Sequence, residues 1–85
     1  MDNDLNRDSA RVDLFLGMKG WITPGGTKDG WKLIEKSINA LVILEGIGND
    51  DILKEVGTLQ EELGYSEDDI VDLDYSIRDL LGMPH

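Results

Sequence analysis

The hydrophobic pattern is densest from Trp31 to Ile47, WKLIEKSINALVILEGI. At the helical period, Trp31, Ile34, Ile38, Leu41 and Val42 share one face, and Leu33, Ala40 and Leu44 widen that face into a broad arc. Only a strip near Lys32, Lys36 and Asn39 stays polar. A surface helix ordinarily carries one apolar stripe, so this arc predicts a central helix with neighbours on at least two sides.

Two further helices follow from the same periodicity. Gly46 and Gly48 terminate the central helix and Asn49 is a good N-cap, so a helix is expected from about Asp50, with Ile52, Val56, Leu59 and Leu63 on its core face. Gly57 weakens its interior by about 1 kcal/mol relative to alanine and is read as a mark of close helix packing. Gly64 ends this helix and Ser66 caps the next, whose first turn holds Glu67, Asp68 and Asp69. Ile70, Leu73, Ile77, Leu80 and Leu81 form its apolar face, Asp74 and Arg78 make an i, i+4 pair, and Gly82 and Pro84 close it.

The N-terminal segment supports two readings. As a helix from about Arg7 to Met18 it aligns Leu5, Val12 and Leu16, with Phe15 beside them. As a hairpin, RVDLFL alternates Val12, Leu14 and Leu16 and returns through Trp21 and Ile22. A lone two-stranded hairpin is marginally stable, which favours the helix. The run GWITPGGTKDG, from Gly20 to Gly30, reads as a loop, with Thr27 or Asp29 available to cap the helix after it. The expected fold is therefore all-α, a small helical bundle of three to four helices in a single domain, residues 1–85. A chain of this length buries a modest core, and a homodimer would be a natural supplement.

Charge changes the picture more than composition does. The net charge of −10 is unevenly placed: residues 49–85 hold eleven acids against Lys54 and Arg78, whereas residues 1–30 carry five acids against four bases and residues 31–48 are balanced. Such a C-terminal field repels nucleic acid and anionic membranes and attracts basic partners. The start, Met1-Asp2-Asn3-Asp4, has neither the basic nor the apolar region of a secretory signal, and no apolar run approaches the roughly 20 residues of a membrane span. A cytoplasmic location is expected. The chain has no cysteine, which excludes disulfides and thiolate metal sites.

Candidate chemistry is sparse. Gly25 and Gly30 have the spacing of a phosphate-binding P-loop, but Trp31 stands where the lysine should be. Trp21 and Trp31 flank this loop either as core residues or as an aromatic platform for a small ligand. No segment has the EF-hand oxygen spacing, and His85 is the lone histidine, so no cofactor, metal site or catalytic residue is expected and the protein is read as not an enzyme. The stretch LQEELGYSEDDIVDL, from Leu59 to Leu73, has helix-turn-helix form. Its second helix is acidic where a recognition helix needs Lys and Arg, so direct nucleic-acid binding is not expected. The Gly64-Tyr65 corner resembles that of ubiquitin-associated domains, and LGYSEDDIVDL resembles the start of the second helix of acyl carrier proteins. The aspartate preceding the phosphopantetheine serine of carriers has no counterpart here, and neither resemblance assigns a family.

What remains is the acidic helix. Glu67, Asp68, Asp69, Asp72, Tyr75 and Asp79 are the candidate partner-binding residues, with Asp68, Asp72 and Asp79 falling on one side, opposite the core face. The leading expectation is a non-enzymatic protein that engages a basic protein surface, in its sharper form a nucleic-acid-mimicking inhibitor from a phage or mobile element. The runner-up is a dimeric regulatory module with helix-turn-helix-like geometry that does not itself bind DNA. The plain alternative is a solvated helix face.

Overall fold

The structure, a computed structural model, describes residues 2–83, with side chains from residue 9 to residue 83. It is all-α, with four helices: α1 (Asp2–Trp21), α2 (Thr27–Glu45), α3 (Asn49–Leu63) and α4 (Glu67–Leu80). The N-terminal segment is thus helical rather than a hairpin, and no strand occurs among the described residues. The chain groups into two compact units, Met1–Gly48 and Asn49–His85, each containing two consecutive helices.

In the first unit α1 and α2 form an antiparallel pair. Gly17 near the end of α1 lies against Gly30 near the start of α2, and at the other end Arg11 reaches Glu45 with an N–O distance of 3.0 Å. That ion pair is partly exposed and contributes at most about 1 kcal/mol. Ala10, Leu14 and Met18 of α1 are buried, as are Ile34, Ile38 and Leu41 of α2. Val12 and Leu16, expected in the core, are 55% and 48% exposed on the opposite side of α1. The side chain of Leu5, expected beside them, lies outside the described residues, as do Pro84 and His85.

The reason for the exchanged face is the glycines. A Cβ on Gly17 would stand 2.8 Å from the Gly30 carbonyl oxygen, and one on Gly30 would press on the Trp21 amide nitrogen and the Gly17 carbonyl oxygen. The helices therefore meet nearly backbone to backbone, which only glycine permits. The α1 face that carries Gly17 is consequently the buried one, whatever apolar residues lie behind it. The loop expectation is corrected by the same contact: Gly20 and Gly30 belong to helices, and the connection is only residues 22–26. Gly26 occupies the N-cap of α2 with no side-chain cap, and Thr27 instead donates from its hydroxyl to the Trp21 carbonyl oxygen at 3.0 Å.

The arc on α2 is narrower than its sequence implies. Gly30, Ile34, Ser37, Ile38 and Leu41 are buried, whereas Val42, Ile43 and Leu44 are exposed toward the C-terminal end. Ser37 is accommodated because its hydroxyl donates to the Leu33 carbonyl oxygen at 2.6 Å. Gly46 ends the helix in the left-handed conformation, φ 62°, and its amide donates back to Val42.

The second unit follows its local signals closely. Ile52 and Val56 of α3 and Leu73 and Ile77 of α4 are buried, while Leu59, Leu63, Ile70 and Leu80 are half-buried. Gly64 adopts φ 71°, its amide donates to Glu61, and the Tyr65 amide donates to Gln60, which is a Schellman turn. Gly57, in contrast, faces open space, so it marks no close packing.

Tyr65 is buried, and burial pushes its phenol well above the ordinary tyrosine value, with the Asp69 carboxylate adding to the shift. A raised folded value means that the stability tied to this phenol is complete below the unfolded value of about 10 and is lost as pH rises beyond it. Alkaline titration is therefore expected to unfold α3 and α4 together with Tyr65 ionisation, and Tyr65→Phe is expected to weaken that coupling. Phenolate absorbance followed alongside far-ultraviolet circular dichroism checks this. Helix content that ignores Tyr65 ionisation would contradict it.

Candidate functional site

The turn that ends α3 sets the direction of α4. Ser66 is extended, and its hydroxyl oxygen accepts from the Asp69 amide at 3.2 Å, capping the helix as its sequence position implies. Glu67, Asp68 and Asp69 then occupy the first turn, where carboxylates complement the positive helix end. With Leu73 and Ile77 turned inward, helical periodicity directs Asp68, Asp72, Tyr75 and Asp79 outward, and all four are exposed.

The candidate residues do not form one uniform set. Glu67, Asp68, Asp72 and Asp79 are exposed, and Tyr75 is 57% exposed beside them. Asp69 is half-buried and acts electrostatically on Tyr65, which places it at the edge of the packed side. Arg78, the one base on α4, donates to Asp74 at 2.9 Å. Val71 was not anticipated: it is 66% exposed, an apolar residue one turn before Tyr75 on the outward side. The signal was its position on the helical wheel, almost opposite Leu73.

The other expected features offer less. Trp21 and Trp31 are both half-buried, and Gly30 is buried against α1, so the glycine-rich run presents no phosphate cradle. An open groove between α1 and α2 is lined by Ser9, Ala10, Asp13, Lys36, Ser37, Ala40 and Leu44. The groove supplies one acid, one base and two hydroxyls, and of these the Ser37 hydroxyl donates to the Leu33 carbonyl oxygen. Among the described residues no three His, Cys, Asp or Glu side chains converge on a metal position, and no helix is long and apolar enough to cross a membrane. Comparisons with family models, curated proteins and solved structures find no match to this chain.

Proposed function

We propose that the protein is a non-enzymatic cytoplasmic interaction protein that engages a basic protein surface through α4, in the manner of a nucleic-acid-mimicking inhibitor from a phage or mobile element. The observation that carries this reading is the joint exposure of Asp68, Asp72 and Asp79 on one side of a single helix. A rise of about 1.5 Å per residue separates them axially by about 6 and 10 Å, a spacing comparable to that of phosphates along a nucleic-acid strand. The surrounding residues 49–85 supply eleven acids against two bases, which raises the encounter rate with a cationic surface.

Neutralising Asp68, Asp72 and Asp79 together to Asn is expected to leave the fold intact, since all three point into solvent. Affinity for a partner captured from host lysate and eluted by stepped salt is expected to fall by at least about tenfold, the wild-type interaction weakening steeply with salt. Nucleic acid is expected to compete for the same partner surface. Binding that ignores the triple substitution, salt and competing DNA or RNA would end this reading. The turn of residues 64–66 between two capped helices keeps a second reading in view, a dimeric regulatory module with helix-turn-helix-like geometry. Concentration-dependent dimerisation without salt-sensitive partner binding would favour it.

A further inference from the structure

The outward side of α4 is not uniformly acidic. Val71 and Tyr75 stand one turn apart, 66% and 57% exposed, and form an apolar ridge along the helix. Helical geometry sets Asp68, Asp72 and Asp79 along one flank of this ridge, whereas the other flank holds Arg78, paired with Asp74, together with Glu67. A surface that copied phosphates alone would gain nothing from an aliphatic and an aromatic side chain at its centre. Burying them against a partner does gain, because apolar area leaves water while the surrounding charges fix register.

Building on the acidic-interface reading above, we propose that the occupant of this face is a basic amphipathic helix of a partner protein, with apolar side chains one turn apart and Lys or Arg on the flank that meets Asp68, Asp72 and Asp79. Ridges at i and i+4 on one helix seat in the corresponding grooves of another, so a helix fits this ridge better than a flat strand does. Its lysine and arginine stems would lie over the Tyr75 ring while their charged ends reach the flanking carboxylates. Charge decides against the other occupants. A second copy would set one strongly acidic segment against another, and an anionic membrane would be repelled in the same way.

The test uses two synthetic peptides of one composition, Leu, Ala and Lys: one ordered as an amphipathic helix, the other scrambled to destroy the apolar stripe. Both are titrated calorimetrically into the full chain, and amide chemical shifts locate the contact. The ordered peptide is expected to bind at least about tenfold tighter than the scrambled one, with shifts centred on Val71 and Tyr75. Val71→Ser with Tyr75→Ser is expected to erase that preference and keep the weaker, salt-sensitive binding common to both peptides. The triple Asn variant is expected to lose both. Circular dichroism melting confirms that each variant is folded. Equal affinity for the two peptides, or a preference that survives the Val71 and Tyr75 substitutions, overturns the ridge proposal and leaves the acidic interface standing. No salt-sensitive binding of either peptide, or shifts centred away from α4, overturns both.

Discussion

Leu41→Asp is expected to abolish the cooperative fold of the unit that contains α2. Leu41 is fully buried together with Ile34 and Ile38, so the new carboxylate would be placed in an apolar interior. Burying an unpaired ionised group costs several kcal/mol, on top of the about 2–5 kcal/mol lost with the leucine side chain itself. The total stability of a small domain is about 5–15 kcal/mol, which that loss consumes in large part or in full. Lys36→Ala on the same helix is the matched control. Lys36 is exposed, and its removal is expected to change stability by no more than about 0.5 kcal/mol. Thermal melting by circular dichroism compares the pair, and similar midpoints would show that the buried side of α2 is misassigned.

Gly30→Ala and Gly57→Ala are expected to have opposite signs. Both glycines lie within helices, where alanine is favoured over glycine by about 1 kcal/mol. At Gly57 a Cβ meets nothing within 4 Å, so that propensity is realised and the protein is stabilised by up to about 1 kcal/mol. At Gly30 the Cβ would meet the Trp21 amide nitrogen, the Gly17 carbonyl oxygen and the Gly20 carbonyl carbon, the last at 2.8 Å. None of these backbone atoms can rotate aside, so α1 and α2 must separate, and the cost is expected to exceed the usual overpacking penalty of about 1–3 kcal/mol. Gly17→Ala is expected to act similarly, since its Cβ would stand 2.9 Å from the Leu33 Cβ as well as close to the Gly30 carbonyl oxygen. Urea unfolding midpoints separate these outcomes. Equal shifts for Gly30→Ala and Gly57→Ala would remove the backbone contact as the organising feature of the first unit.

The second unit was largely legible because its signals are local. A left-handed position at Gly64, a hydroxyl cap at Ser66 and carboxylates in the first turn of α4 each act within a few residues of chain. The outward direction of Asp68, Asp72 and Asp79 follows from periodicity once Leu73 and Ile77 are turned inward. The exposure of Val71 was recoverable from the same wheel, but apolar residues invite assignment to a core.

The first unit shows where that legibility ends. In α1 the helical periodicity points to Leu5, Val12 and Leu16 as the core stripe, whereas the buried side chains are Ala10, Leu14 and Met18. Likewise Gly30 reads as part of a loop and Gly57 as a mark of close packing, yet Gly30 is the backbone contact within a helix and a Cβ at Gly57 would meet nothing within 4 Å. The helical nature of α2, α3 and α4, the ends of α3 and α4 and the acidic side of α4 were determined by the sequence alone, because hydrogen bonding, capping and side-chain direction are properties of neighbouring residues. Which stripe of α1 is buried, which glycine is indispensable and how far the apolar arc of α2 is covered were decided only in the tertiary structure. Burial depends on what approaches from a distant part of the chain, and here two backbones can approach closely only where Gly17 and Gly30 coincide.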